Sequence, residues 1–210
     1  MKLLSATPSP FARKVRIALH EKAIEFELVT EVPWNPDACA PQYNPLGKIP
    51  VLILDDGSTV YDSRLILEYL EWTHPRIALL PADPVQMLAA KQLEVIADGV
   101  CDAVVLSFIE MQRPSEQRSA PWLERQRMKI ERGVAEVARR IDAGQPYAVG
   151  GQFGQGDIAV GCMLGYLDLR YPQLRWRQHA HLDALFARLS ERDSFRRTVP
   201  AAQTIAAGVA

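Results

Sequence analysis

Three short polar sites near the amino terminus carry the residue types that could hold and activate an anion. The first is Ser9-Pro10. Serine is a favoured helix N-cap, and proline suits the first helical position because no backbone N–H is needed there. A helix N-terminus in a loop after a strand also favours an anion, through unpaired N–H groups and the helix dipole. Ser9 reads either as a plain cap or as a hydroxyl that stabilises a bound anion. The second site is Ile49-Pro50, at the head of an apolar run. A proline there gives no ladder hydrogen bond. It is a candidate for a cis bond, which would offer the Ile49 backbone to a peptide-like ligand as an added strand. The alternative is an ordinary trans proline at a strand edge. The third site is Asp62-Ser63, ahead of Leu65 and Ile66. Ser63 is expected to cap a second helix, whose N-terminus would accept a carboxylate, while Asp62 would suit an ammonium. A simple cap is again the alternative.

The identity of position 9 narrows the chemistry. A hydroxyl can stabilise a bound anion but cannot form a mixed disulfide, and the run Ser9-Pro10-Phe11-Ala12 contains no Cys-x-x-Cys. Thr7 is the competing hydroxyl.

Other reactive types read more plainly. His179-Ala180-His181 has no evident cysteine or carboxylate partner, so no metal site is expected. The arginine-rich stretch 113–140 reads as the polar face of helices. The cysteines Cys39, Cys101 and Cys162 are odd in number and far apart, which suggests neither a disulfide framework nor a metal site. Cys101 and Cys162 fall on helical stripes and are expected in the core.

These residues must be positioned by elements that the hydrophobic pattern outlines. Leu3-Leu4 is a first strand, and Phe11, Val15, Ala18 and Leu19 form a helical stripe. Phe26, Leu28 and Val29 fit a second strand. Residues 33–45 are irregular with a short helix. Residues 49–54 form a buried strand, Asp55-Asp56-Gly57-Ser58 a hairpin turn, and Thr59-Val60-Tyr61 the returning strand. Leu65, Ile66, Tyr69 and Leu70 give the next helix. A helix between the first two strands favours a parallel pair, and the tight hairpin requires an antiparallel one. The expectation is a small mixed sheet with helices. After the linker Leu80-Pro81-Ala82-Asp83-Pro84, the pattern turns helical. Leu88, Leu93, Ile96, Val100, Val104 and Phe108 form one stripe; Leu123, Ile130, Val134, Val137 and Ile141 form another. Further helices are expected over 154–170 and 180–193, and no strand after residue 80.

Composition frames the function. The chain has 210 residues, 48% hydrophobic and 23% charged, with a formal net charge of −1. That balance gives no electrostatic support for a nucleic-acid partner. No apolar run approaches the roughly 20 residues that span a bilayer. The amino terminus turns polar too early for a signal peptide. No membrane or nucleic-acid partner and a cytoplasmic location are therefore expected.

Taken in order, Ser9-Pro10-Phe11-Ala12-Arg13-Lys14-Val15-Arg16, then Asn44-Pro45-Leu46-Gly47-Lys48-Ile49-Pro50-Val51-Leu52, then Asp62-Ser63, resemble the glutathione transferase superfamily. The likeness is to bacterial, serine-type members with an omega-, zeta- or theta-like amino-terminal motif. The resemblance implies an α+β thioredoxin-like domain with a mixed four-stranded sheet over residues 1–79. A linker over 80–84 and an all-α domain over 85–210 would follow. It implies glutathione as co-substrate, no prosthetic group, a small hydrophobic electrophile as second substrate, and a homodimer. Ser9 matches the position facing the glutathione sulfur and is the implied catalytic residue. Ile49 and Pro50 match the pair that meets the cysteinyl backbone, and Asp62 and Ser63 the pair that holds the γ-glutamyl group. Phe11, Asn35 and Lys48 complete the implied glutathione-binding set. The second-substrate pocket would draw on helices beginning near Val85 and Trp122. Conjugation in detoxification, with peroxide reduction as a side activity, is the implied chemistry. A non-catalytic binder of glutathione or hydrophobic ligands is the alternative. Phe153-Gly154-Gln155-Gly156-Asp157-Ile158 resembles the family's helix-start motif, with Gly154 where Ser or Thr is usual.

Overall fold

The structure, a computed structural model, describes residues 1–205. Residues 206–210, the end of the apolar tail, lie outside the described residues. The chain divides into two compact units. One comprises residues 1–79 together with the segment from Arg192; the other comprises residues 80–191.

The first unit begins with strand β1 (Lys2–Ser5), helix α1 (Pro10–Glu21) and strand β2 (Glu27–Thr30). Short helix α2 (Ala40–Tyr43), strands β3 (Val51–Ile53) and β4 (Thr59–Val60), and helix α3 (Ser63–Thr73) follow. The sheet order is β2-β1-β3-β4. β1 pairs parallel with β2 and antiparallel with β3, and β3 pairs antiparallel with β4. This is the expected mixed four-stranded, thioredoxin-like sheet. Leu3 and Leu4 of β1 point to opposite faces, yet both are buried, so the central strand is covered on both sides. β2 is an edge, and its Leu28 is exposed. The buried residues Val15, Leu19, Ile66 and Leu70 give α1 and α3 their core faces.

Helices α1 and α3 start at side-chain caps. Ser9 caps α1 with Pro10 at the first position. Helix α3 departs from expectation: Asp62, not Ser63, is its N-cap, with Asp62 Oδ1 accepting from the Arg64 N–H at 3.1 Å. Both residues can cap. The carboxylate reaches the helix N–H groups one residue earlier, so Ser63 becomes the first helical residue.

The second unit is built from α4 (Pro84–Gln112), α5 (Ala120–Arg140), α6 (Gln155–Arg170) and α7 (Ala180–Ser190), with single 3₁₀ turns at Ser115–Gln117 and Trp176–Gln178. Asp83 and Ser119 cap α4 and α5, each with proline in the first turn. α4 packs against both α5 and α6. Where α5 crosses α4, a Cβ on Gly133 would meet Val100 Cγ2 at 2.3 Å, so only glycine allows this approach. At the start of α6, Asp157 accepts from the Gly154 N–H at 2.9 Å and the Ala148 N–H at 2.8 Å. Gly154 is the N-cap and gives no side-chain bond of its own.

The helix expected over 180–193 is two elements: α7 ends at Ser190, and a turn precedes α8 (Asp193–Arg196). From Arg192 the chain belongs with the first unit, whereas the sequence pattern assigned everything from 85 onward to the helical domain. The physical reason is a polar clamp on α1. Arg192 binds Glu21 through two nitrogens at 2.9 and 2.7 Å, and Ser194 Oγ donates to Glu21 at 2.5 Å. Phe195, 1% exposed, lies under the Arg13 guanidinium at 5.2 Å.

Candidate functional site

Strand register brings the separated motifs to one end of the sheet. β1 ends at Ser5, and Leu4 pairs with Val51 at the start of the antiparallel β3. Ile49-Pro50 therefore stands beside the loop that leads to Ser9. Leu52 in turn pairs with Val60 at the end of β4, which sets Asp62 and Ser63 at the same end. Ser5 also pairs with Thr30 at the end of the parallel β2, so the segment carrying Asn35 leaves from there too. The loops after β1, β2 and β4 and the loop before β3 thus share one edge of the sheet, the edge where α/β proteins bind ligands.

Ser9 sits in extended backbone, half-buried, at the N-terminus of α1. Its Oγ accepts from the Ala12 N–H at 3.2 Å. A hydroxyl carries one proton to donate, and the Ser9 proton has no acceptor among the described residues. The rival hydroxyl differs: Thr7 Oγ1 donates to the Ala201 carbonyl at 3.0 Å. Phe11, in the first turn of α1, is half-buried.

The Ile49-Pro50 bond is cis. The backbone N–H and C=O of Ile49 make no hydrogen bond to another described residue. The turn before it is held by Asn44, a residue whose role the sequence pattern did not reveal. Asn44 is 2% exposed; its Nδ2 donates to the Lys48 carbonyl at 2.8 Å and its Oδ1 accepts from the Leu46 N–H at 3.0 Å. Gly47, at φ +62°, completes that turn. Its signal in the sequence is the Asn-Pro-x-Gly spacing. Lys48 is exposed, Asp62 is exposed and Ser63 is buried at 3%.

Asn35 lies in a loop that Glu31 braces. Glu31 Oε2 accepts from both the Cys39 N–H at 2.9 Å and the Cys39 thiol at 3.0 Å. The hydrogen bond to Glu31, followed by burial, pushes the Cys39 thiol pKa up. Cys39 is therefore held as a thiol, a poor nucleophile. Cys101 and Cys162 are buried in the helical unit.

Elsewhere, a polar cleft of about 360 Å³ lies at the far end of α1, lined by His20, Glu21, Arg192, Asp193, Ser194 and Arg197. Its cations are already engaged, Arg192 with Glu21 and Arg197 with Asp193. Burial first, and then Arg197, lowers the His20 pKa, so the ring is neutral at pH 7. That cleft has structural work and stands a whole helix away from Ser9. His181 Nε2 lies 2.9 Å from the Ala138 carbonyl, and among the described residues no group of three metal-ligating side chains is assembled. In the arginine-rich stretch, Arg127, Arg139 and Arg140 pair with Glu124, Glu131 and Glu136 along the solvent face of α5.

Residues 8–73 match the family model of the glutathione S-transferase N-terminal domain, and residues 120–190 match that of the C-terminal domain. The chain belongs to the glutathione S-transferase superfamily. A glutathione S-transferase from Methylobacterium radiotolerans, solved in complex with glutathione sulfonate, is 55% identical with a TM-score of 0.96, covering 98% of this chain and 97% of that one. One from Methylobacillus flagellatus, solved with glutathione bound, is 42% identical with a TM-score of 0.90, covering 95% of this chain and 99% of that one. The uncharacterized GST-like protein YibF of Escherichia coli K12 is 40% identical over 206 residues, covering 95% of this chain and 98% of its own.

Proposed function

We propose that this protein is a serine-type glutathione S-transferase in which Ser9 stabilises the glutathione thiolate for attack on a small hydrophobic electrophile. The observation that carries the reading is the Ser9 hydroxyl. It stands at a helix N-terminus, accepts from the helix, and keeps a proton to donate. A free thiol has a pKa near 8.5, and lowering it by roughly 2 units needs about 2.7 kcal/mol of differential stabilisation. One hydrogen bond to a charged sulfur contributes about 1.5–3 kcal/mol, and a helix N-terminus adds about 0.3–1 kcal/mol. Together they reach the required size. With an aryl chloride, the sulfur–carbon bond forms, the carbon–chlorine bond breaks, and chloride and the thiol proton leave.

The remaining residues supply binding. Ile49 offers its backbone to the cysteinyl unit beside Pro50. Asp62 and Ser63, at the N-terminus of α3, suit the ammonium and carboxylate of the γ-glutamyl group. Asn35, Lys48 and Phe11 are assigned to the rim of the tripeptide. The solved relatives with glutathione and glutathione sulfonate support this ligand. Side chains of the helical unit are assigned to the second substrate. Peroxide reduction would use the same thiolate. The proposed setting is detoxification in the cytoplasm, by a homodimer.

Turnover of chlorodinitrobenzene tests the assignment. Ser9→Ala is expected to lower kcat/KM by about 10- to 100-fold, the loss of one such hydrogen bond. Thr7→Ala should stay within about twofold of the parent, a difference under 0.5 kcal/mol. Equal activity of Ser9→Ala and the parent would remove Ser9 from the mechanism. Retention on immobilised glutathione without turnover of any electrophile, hydroperoxide or disulfide would favour a non-catalytic binder.

A further inference from the structure

Several basic residues of the helical unit pair with carboxylates; Arg170, partly buried, does not among the described residues. Arg113, Arg127, Arg139, Arg140 and Arg177 each face a carboxylate within ion-pair distance. Arg170, the last residue of α6, has none among the described residues. Its guanidinium instead lies over the Phe108 ring of α4, 4.0 Å from the centroid. Its Nε is buried with no hydrogen-bond acceptor. One helical turn earlier, on the same face, Tyr166 turns its hydroxyl toward Arg170. Tyr166 is only 3% exposed, and burial pushes its pKa up, so the hydroxyl is a neutral donor at physiological pH.

We propose that Arg170, with Tyr166 beside it and Phe108 against it, is a binding subsite for the carboxylate of an aromatic acid. Three physical points favour this ligand. A partly buried cation without a counter-ion is costly, and an incoming anion relieves that cost. The guanidinium fork matches a planar carboxylate and forms charge-assisted hydrogen bonds to it. Phe108 holds the fork flat by cation–π contact, so less side-chain freedom is lost on binding. The carbonyl end of α6 also favours the cation, but it supplies no counter-charge at the buried Nε.

Binding of 3-nitrobenzoate and of 3-nitrobenzamide to the full chain, measured by calorimetry, tests the subsite without any turnover. The two probes share shape and ring, and differ in charge. The parent should bind the acid about tenfold more tightly than the amide, equivalent to about 1.4 kcal/mol. Arg170→Met should erase that preference, and Arg170→Lys should restore part of it. Ser9→Ala should leave it unchanged, so a failure of the thiolate reading leaves this result legible. Equal binding of acid and amide by the parent would overturn the subsite. So would a preference that survives Arg170→Met.

Discussion

At the scale of single residues, the decisive contrast is between hydroxyls and thiols in one loop cluster. Ser9 keeps a free proton at a helix N-terminus, whereas Thr7 spends its proton on the Ala201 carbonyl. Cys39 is nearby in sequence order but is tied to Glu31, which favours its protonated form. Replacing Glu31 with Gln removes the negative charge and weakens the acceptor. The Cys39 pKa should fall, and the rate of its alkylation by iodoacetamide at pH 7 should rise about three- to tenfold, following the thiolate fraction. Mass spectrometry of the Cys39 peptide reads this rate, and an unchanged rate would show that Glu31 does not hold the thiol. The candidate residues themselves were legible in the sequence, because caps and X-Pro steps leave local signatures. The Thr7 bond was not, because it depends on a carbonyl 194 positions away in the chain.

At the scale of elements, periodicity located the helices better than it located their buried faces. On α4 it selected Leu88 and Ile96, yet Leu88 is 68% exposed and Ile96 half-buried, while Ala90 and Ala97, outside that stripe, are buried. This helix is apolar around much of its circumference, so a stripe of large side chains does not single out the core face. The α3 start shifted by one residue for a similar reason: Asp and Ser cap almost equally well, and geometry chooses between them. The start of α6 was read correctly in kind, with Asp157 as the acid that reaches back. Asp157 is 1% exposed and accepts two backbone N–H groups. Asp157→Ala should therefore cost about 2–4 kcal/mol, the loss of two hydrogen bonds to a buried charge. Urea unfolding measures it; a change under about 0.5 kcal/mol, the size of an ordinary surface substitution, would deny Asp157 that role.

At the scale of the whole molecule, the four-stranded sheet and the helical region were legible, since hairpin signals and helical periods are local. The return of the chain at Arg192 was not. It depends on Glu21 and Arg192, 171 positions apart, meeting in space. The same limit hid the convergence of the site, which follows from strand register and not from spacing. Among the described residues no helix is long and apolar enough to cross a membrane. The proposed homodimer needs exposed apolar surface to bury, and Leu106 on α4 is such a side chain at 39% exposed. Light scattering should give twice the chain mass at micromolar concentration, and Leu106→Glu should shift it toward the single chain. A single-chain mass for the parent would reject the dimer.

The central claim is that Ser9 stabilises the glutathione thiolate, and titration of bound glutathione by ultraviolet difference spectroscopy tests it most directly. The parent should form the thiolate with a midpoint near pH 6.5, about 2 units below a free thiol. In Ser9→Ala the midpoint should rise by about 1 unit or more, as one charge-assisted hydrogen bond is lost. The same midpoint in both proteins would contradict the account.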